Sequence, residues 1–266
     1  MGVLQGVDRT SPGVAHLRLI PEQRLAVQFY FIRHAQSQNN ALYLASGSSA
    51  GRSPDPELTD LGSRQAGCLA EHLAHAFPGA APQEWDPQNR SGYRLTHLYT
   101  SLMLRAAATA AILGAALGLR PVALEEVHEE GGIYREDPQS GQPLGLPGKG
   151  RSYYREHYPE LVLPNWLGED GWWRRPHETP DQVPQRARRF LDFLRERHAV
   201  GDDRVALVSH AGFYNYLLCA LFDLPRSERL WFTLNNAALT RIDFYPEGAS
   251  LVYHNRADYL PVELVT

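Results

Sequence analysis

Residues that can act as nucleophiles, acids, bases or anion ligands follow four apolar segments, each of which is predicted to be a β-strand. The segments are residues 27–32, 95–100, 121–127 and 204–209. The polar residues that follow them are Arg33, His34, Ser101, Arg105, Glu129 and His210. If the strands are parallel, their carboxyl ends lie at one edge of a sheet, where ligands bind in α/β proteins. The sequence therefore predicts one site that is built from four separate segments.

The residue types at this predicted site favour the binding of phosphate. The guanidinium groups of Arg33 and Arg105 offer N–H donors that match phosphate oxygens, and Asn40 adds a neutral amide donor. A positive pocket of this kind also stabilises the charge on a transferring phosphoryl group. Two arginines beside His34 and His210 oppose a metal cation, and the other histidines lack metal-ligand spacing, so no metal is expected.

The elements that carry these residues alternate between strands and helices. A helix is predicted from Thr59 because a four-residue repeat follows it, at Leu61, Gln65, Leu69, Leu73 and Phe77. Ser101 is predicted to cap a second helix, which Gly118 ends. This alternation predicts an α/β fold, a three-layer sandwich with a mostly parallel central sheet flanked by helices.

A single domain is predicted over residues 1–266, with its core at about 27–130 and 183–255. Residues 1–26 form an N-terminal extension with a weak pattern. An inserted cap is predicted at about 131–182, where Gly and Pro are frequent and aromatic residues crowd the segment. Five arginines of this cap either bind a second anionic group of a substrate or only solvate the surface of the cap: Arg135, Arg151, Arg155, Arg174 and Arg175.

The composition argues against several classes of protein. The chain has 266 residues and a formal net charge of -4, so no basic excess indicates a nucleic-acid partner. No run of about 18 apolar residues predicts a membrane-spanning helix, and the first residues lack the apolar core of a signal peptide. The two cysteines, Cys68 and Cys219, suggest neither a disulfide framework nor a zinc site, so a cytoplasmic location is expected.

Five motifs in the same order resemble those of the histidine phosphatase superfamily, also called the phosphoglycerate mutase-like family. In this chain they read FYFIRHAQSQNN, DPELTDLGSRQA, TSLMLRAAATA, LVSHAG and NNAALT. The residues that carry the resemblance include Arg33, His34, Gln36, Ser37, Asn40, Thr59, Gln65, Ser101, Arg105, Thr109, His210 and Asn236. The resemblance covers about residues 27–130 and 183–255, which is the predicted core.

The resemblance implies a role for the residues around the predicted phosphate. His34 is expected to be the nucleophile, attacking phosphorus through one ring nitrogen while a backbone carbonyl holds the other. The residues expected to hold the phosphoryl oxygens are Arg33, Asn40, Arg105 and His210. Gln36 and Ser37 either contact the phosphate or leaving group or only shape the loop.

The resemblance also implies a glutamate after the third strand that protonates the leaving alkoxide and later serves as the base for water. Four carboxylates qualify by position, namely Glu125, Glu126, Glu129 and Glu130. Glu129 is chosen because it follows the apolar strand pattern and directly precedes the pair of glycines at 131 and 132.

Two departures from the family pattern bear on the activity. Ala35 replaces the usual glycine, and EEVHEEGGIYRE stands where the mutase branch has a Glu-Arg-x-Tyr-Gly segment. The resemblance therefore implies a metal-independent phosphomonoester hydrolase that acts on a small phosphorylated metabolite through a phosphohistidine, without a cofactor. Mutase-type phosphoryl transfer and a non-catalytic phospho-ligand binding module are the alternatives, and a homodimer is left open.

Overall fold

The computed structural model of the chain describes residues 25–75, 86–198, 202–225, 230–246 and 248–266. Most of the predicted N-terminal extension and Phe77 lie outside these residues. The described strands are β1 (Val27–Arg33), β2 (His97–Ser101), β3 (Val122–Leu124), β4 (Tyr134–Glu136), β5 (Pro143–Gly145), β6 (Asp203–Ser209), β7 (Leu239–Tyr245) and β8 (Gly248–Arg256). The described helices are α1 (Gln38–Ser46), α2 (Asp60–Ala74), α3 (Leu104–Leu117), α4 (Arg151–His157), α5 (Val183–Arg197) and α6 (Ala211–Leu221).

Six of the strands form one mixed sheet in the order β3-β2-β6-β1-β7-β8. Strands β1, β2, β3 and β6 are parallel, whereas β7 is antiparallel to β1 and β8 is antiparallel to β7. The predicted α/β class with a mostly parallel sheet is therefore confirmed. The central strand β1 is buried on both faces, which explains its unbroken apolar run from Phe29 to Ile32.

The helices flank this sheet as pairs, because α2 packs against α3 and α5 packs against α6. The four-residue repeat of α2 places Gln65, Leu69 and Leu73 on its buried face. Thr59 caps this helix by accepting a hydrogen bond from the Gly62 N–H group. Among the helices of the described segments, none has the length and apolar character needed to cross a membrane.

Two local predictions are wrong. Ser101 does not cap α3, which begins at Leu104, because the carboxylate of Asp55 from a distant loop accepts the Leu104 N–H group instead, at 3.0 Å. The third strand is shorter than its apolar pattern predicts, since it ends at Leu124 and residues Glu125–Val127 form a 3-10 turn. Both differences arise where tertiary contacts at the edge of the sheet override the local pattern.

Helix α1 follows β1 at the edge of the sheet and is not predicted from the sequence. None of its residues is buried, so it has no apolar stripe that periodicity could detect. A capping box starts it, in which Ser37 and Asn40 each bind the backbone N–H group of the other. The helix ends at Gly47, whose φ of 66° lies in the left-handed region that glycine adopts easily.

The segment 131–182 contains β4, β5 and α4 and has an apolar cluster of its own. Members of this cluster within the segment are Ile133, Tyr154, Leu161, Leu167, Trp172 and Trp173. The cluster continues onto Leu102, Met103 and Leu104, which follow β2. The segment therefore packs beside the carboxyl end of β2, on the side of the sheet where the predicted site lies. Its description as an inserted cap on a single domain stays a prediction.

Candidate active site

The carboxyl ends of β1, β2 and β6 bring the predicted histidines together. His34 follows β1 and His210 follows β6, and the centroids of their imidazole rings are 5.1 Å apart. Both rings are buried, with exposed fractions of 3% and 0%. Ser101, the last residue of β2, lies beside them, with its Oγ 2.7 Å from Nε2 of His210.

Hydrogen bonds fix the position of the proton on the His34 ring. Nδ1 lies 2.7 Å from the carbonyl oxygen of Ala35, so Nδ1 carries the proton and donates it. Nε2 lies 3.1 Å from Nε of Arg105, whose N–H group donates to it. Nε2 is therefore the unprotonated nitrogen, and it is the one that a nucleophilic His34 uses.

Burial and charge keep both histidines neutral. Burial, followed by the positive charges of Arg105 and Arg33, lowers the pKa of His34 well below its usual value. Burial and Arg105 have the same effect on the pKa of His210. Burial lowers the pKa of Arg33 to about 10, so its guanidinium group stays cationic at neutral pH. The pocket therefore combines a neutral imidazole with positive charge, and attack on a phosphate ester requires this combination.

Side chains from three other motifs hold the loop that carries His34. The contacts are Thr109 Oγ1 with Ala35 N (3.1 Å), Gln65 Oε1 with Gln36 N (2.7 Å), Thr59 Oγ1 with Gln36 Oε1 (2.7 Å) and Asn236 Nδ2 with His34 O (3.1 Å). These side chains come from α3, from α2 and its N-cap, and from the segment before β7, so tertiary contacts set the loop geometry. These motif residues therefore fix the backbone around His34.

The side chains of Gln36 and Ser37 are engaged within the same loop. Ser37 caps α1, and Gln36 accepts a hydrogen bond from Thr59. Asn40 Oδ1 accepts from the Ser37 N–H group and from Nδ2 of Asn236, at 3.0 and 3.1 Å. These contacts favour the shaping of the loop as the role of Gln36 and Ser37, and they leave the Nδ2 group of Asn40 as a donor for a phosphate oxygen.

Two buried nitrogens of the pocket have no hydrogen-bond partner among the described residues, namely Nε of Arg33 and Nδ1 of His210. In the tautomer in which the Ser101 hydroxyl donates to Nε2 of His210, at 2.7 Å, the ring proton is on Nδ1, and both nitrogens are then unpaired donors. An unpaired buried donor is costly. An anion that accepts from both groups satisfies them, and phosphate has enough oxygens to do so.

Glu129 lies at the amino-terminal end of α6. Its Oε1 accepts the Phe213 N–H group at 2.9 Å, and its Oε2 accepts the Gly212 N–H group at 3.3 Å. Glycine permits this approach, because a Cβ atom at Gly212 would lie only 2.4 Å from Glu129 Oε1. The negative charge of Glu129 acts to raise the pKa of both Arg33 and Arg105, although burial lowers each overall. The carboxylate therefore lies within electrostatic reach of the pocket.

The other three carboxylates considered for the acid differ in position. Glu125 and Glu126 form ion pairs with Arg175 and Arg189, at 3.1 and 2.8 Å. Glu130 lies next to Glu129, since a Cβ atom at position 212 would also lie 2.8 Å from its Oε1. Of the four carboxylates, Glu129 and Glu130 therefore lie at the start of α6, and both oxygens of Glu129 accept N–H groups there.

The comparison with known families identifies the fold. The model of the histidine phosphatase superfamily (branch 1) matches residues 29–141 and 145–257. The chain belongs to this superfamily. The resemblance carried by the five motifs is thereby confirmed. No curated protein matches the chain in sequence.

Solved structures of the superfamily have a similar fold. A mycobacterial glucosyl-3-phosphoglycerate phosphatase is 19% identical with a TM-score of 0.54, over 86% of this chain and 99% of that one. A phosphoserine phosphatase mutant from Entamoeba histolytica, in complex with phosphoserine, is 17% identical with a TM-score of 0.54, over 88% and 100%. A putative alpha-ribazole-5'-P phosphatase from Escherichia coli is 19% identical with a TM-score of 0.54, over 86% and 96%. At these identities the likeness establishes the fold.

In this member of the superfamily, Asp55 connects the loop before α2 to the pocket. Its Oδ1 accepts the Leu104 N–H group and lies 3.9 Å from NH1 of Arg105, and its Oδ2 is buried without a hydrogen-bond partner among the described residues. Asp55 is not among the site residues predicted from the sequence, although it opens the DPELT part of the second motif. Asp55 thus anchors the first turn of α3, from which Arg105 reaches His34.

Replacing Asp55 with asparagine is expected to stabilise the protein above pH 6. Burial raises the pKa of Asp55 from 3.8 to about 6, although Arg105 opposes the rise. Because the folded pKa is the higher one, ionisation opposes folding, and this cost is absent below about pH 4 and complete above about pH 6. Urea unfolding of Asp55→Asn is expected to give about 1–3 kcal/mol more stability at pH 8 and a smaller gain at pH 5. A variant that is less stable than the native protein at pH 8 contradicts this assignment.

Among the residues that the structure describes, one group could hold a metal ion, namely His97, His198 and Asp203. Their ligand atoms lie within 4.8 Å of one another. It lies at the amino ends of β2 and β6, about 20 Å from the pocket along the strands. Both ring nitrogens of His198 are already engaged, with Asp203 at 2.8 Å and with Tyr99 at 3.1 Å. The group is therefore remote from the phosphate pocket.

Proposed function

We propose that this chain is a metal-independent phosphomonoester hydrolase that works through a phosphohistidine at His34. The observation that carries the proposal is the unprotonated Nε2 of His34, 3.1 Å from the Arg105 guanidinium group in a buried pocket. The unpaired donors of Arg33 and His210 complete a positive site for the phosphoryl oxygens. A neutral nucleophile surrounded by cationic donors fits phosphoryl transfer without a metal ion.

In the first step, Nε2 of His34 attacks phosphorus in line, and the bond from phosphorus to the ester oxygen breaks. The donors to the phosphoryl oxygens are Arg33, Asn40, Arg105 and His210. Glu129 gives its proton to the leaving alkoxide. The carbonyl of Ala35 holds the Nδ1 proton, and it stabilises the positive charge that the ring gains on phosphorylation.

In the second step, Glu129 takes a proton from a water molecule that attacks phosphorus on the side the alkoxide has left. The bond between phosphorus and Nε2 of His34 breaks, and inorganic phosphate is released. Glu129 regains its proton and His34 returns to its neutral form. The same carboxyl group thus serves as acid and then as base, which the principle of reversibility requires when both steps use one pocket.

A small phosphorylated metabolite is the substrate class that this proposal implies. The structures with a similar fold are phosphatases whose names refer to glucosyl-3-phosphoglycerate, phosphoserine and alpha-ribazole-5'-P. The segment after β3 in this chain departs from the mutase pattern, which further supports hydrolysis. We assign the cap segment, residues 131–182, to substrate recognition, because it packs beside the carboxyl end of β2. The cytoplasmic location and the absence of nucleic-acid partners stay predictions, and a homodimer stays open.

This function is tested by measuring phosphate release in the presence of EDTA. The substrates are p-nitrophenyl phosphate and a panel of phosphorylated metabolites. We expect turnover that EDTA leaves unchanged, because the charge of the phosphoryl group is met by arginine and histidine donors. Turnover that EDTA abolishes and that Zn²⁺ or Mg²⁺ restores contradicts the proposal. Phosphate release only with a bisphosphorylated primer indicates a mutase instead, and binding of phosphate without any release indicates a binding module.

A further inference from the structure

The five cap arginines that the sequence offers for a second anionic group are engaged elsewhere or exposed. Arg151 donates to three backbone carbonyl groups of the cap. Arg174 forms an ion pair with a neighbouring aspartate, and Arg175 forms one with a glutamate of the 3-10 turn. Arg135 and Arg155 are exposed on β4 and α4. None of the five is therefore held toward the pocket by the contacts that the structure shows.

A different arginine, Arg52, lies in the loop between α1 and α2 and stacks on the cap. Its guanidinium carbon is 4.3 Å from the centroid of the Tyr134 ring. The Tyr134 ring packs at a right angle to that of His177, with centroids 4.4 Å apart. His177 in turn lies against Gly131, where a Cβ atom would be 2.8 Å from its Nε2. Because Gly131 is two residues after Glu129, the stack stands beside the segment of the proposed acid.

The charge of Arg52 reaches the phosphate pocket. It contributes to the lowered pKa of Arg105, after the larger effect of burial, and it also acts to lower the pKa of His177. Arg52 is half-buried, and it forms no ion pair with any carboxylate of the described segments. A third cation near Arg33 and Arg105 is unfavourable until an anion binds beside it.

The backbone that carries Arg52 is fixed on both sides. The amide group of Asn39 in α1 accepts from the Ser53 N–H group and donates to the Ser53 carbonyl group, both at 2.8 Å. Two residues further on, Asp55 binds the first N–H group of α3. The loop therefore holds Arg52 at a set place between the cap and Arg105, so less side-chain freedom is lost when it binds a ligand.

We propose that Arg52 binds a second anionic group of the substrate, a carboxylate or a second phosphate carried by the same molecule as the phosphomonoester. This inference rests on the proposed function of the pocket and names the class of ester that it takes. Guanidinium matches either oxyanion through two parallel N–H bonds, and the Tyr134 ring supports its opposite surface. Loss of charge-assisted hydrogen bonds of this kind costs about 10- to 100-fold in affinity.

The test compares substrates that differ only in the second anionic group. The pairs are O-phosphoserine with O-phosphoethanolamine for the carboxylate, and fructose 1,6-bisphosphate with fructose 6-phosphate for the second phosphate. In one of the two pairs, the native protein is expected to have a kcat/KM about tenfold or more higher for the member that carries the second anionic group. Arg52→Ala is expected to reduce that ratio by about tenfold or more, whereas the exposed neighbour variant Arg135→Ala keeps it within about twofold.

A binding measurement separates this inference from the proposed function. Calorimetry on the His34→Ala variant, with and without Arg52→Ala, gives the ratio of the dissociation constants of the two members of each pair. If this binding ratio depends on Arg52 while the native protein hydrolyses none of the substrates, the anion site is supported and only the hydrolase is overturned. The opposite result is hydrolysis of p-nitrophenyl phosphate with binding ratios that are near one or that Arg52→Ala does not change. That result overturns the anion site and supports the hydrolase. The pair that responds identifies which oxyanion Arg52 binds.

Discussion

The His34→Ala variant is expected to lose about 10⁴-fold or more of the native kcat/KM with every substrate. Among the described residues, the other pocket histidine is His210, and it does not replace this nitrogen because its own Nε2 is hydrogen-bonded to Ser101 Oγ at 2.7 Å. The loss is expected with good and poor leaving groups alike, since Nε2 of His34 displaces both in the same in-line step. Initial rates of phosphate release with p-nitrophenyl phosphate and glycerol phosphate measure this effect.

His157→Ala is the matched control for this substitution. His157 is an exposed histidine at the end of α4, and its replacement is expected to keep kcat/KM within about threefold of the native value. Thermal unfolding of both variants checks that the fold is intact, which matters because His34 is buried. Activity that persists in a folded His34→Ala variant contradicts the proposed nucleophile.

The Glu129→Gln variant is expected to discriminate between leaving groups. With glycerol phosphate, whose alkoxide needs a proton, kcat/KM is expected to fall by about 10²- to 10⁴-fold. With p-nitrophenyl phosphate, whose phenolate leaves without one, the fall in kcat/KM is expected to be about tenfold or less. Breakdown of the phosphoenzyme still needs Glu129 as base, so stopped-flow measurements should show a burst of p-nitrophenolate followed by slow turnover.

Glu126→Gln and Glu130→Gln test whether the acid is correctly assigned. Glu126 is paired with Arg189 on α5, so its replacement is expected to change kcat/KM by less than about threefold. Glu130 lies next to Glu129, whose two carboxylate oxygens accept the first N–H groups of α6. A larger loss in Glu130→Gln than in Glu129→Gln, or equal losses with both substrates, would transfer the role of the acid away from Glu129.

Much of the phosphate pocket could be predicted from the sequence because its residues follow recognisable strands. Apolar runs mark β1, β2 and β6, and the carboxyl ends of parallel strands meet at one edge of the sheet. Arg33, His34 and His210 are therefore placed together by topology alone. Arg105 is placed near them by the helical pattern of the segment that follows β2. These positions depend on strong local patterns rather than on contacts between loops.

Asp55 and Arg52 could not be predicted in the same way. Both lie in a polar loop, where charged residues are ordinarily solvated and give no periodic signal. The contact of Asp55 with Leu104 joins residues 49 positions apart, and the stacking of Arg52 on Tyr134 joins the loop to β4. Such contacts exist only once the sheet has brought distant segments together. Helix α1 also gives no periodic signal in the sequence, because none of its residues is buried.

Trapping the covalent intermediate tests the central proposal most directly. The protein is mixed with ³²P-labelled substrate, quenched in base, which preserves a phosphohistidine, and digested for peptide mass spectrometry. Glu129→Gln is the best variant for this experiment, because its slower breakdown lets the intermediate accumulate. We expect one acid-labile phosphate on His34, formed at the rate of the burst and absent in the His34→Ala variant. Label on another residue, or full turnover without any labelled protein, would contradict a phosphohistidine mechanism at His34.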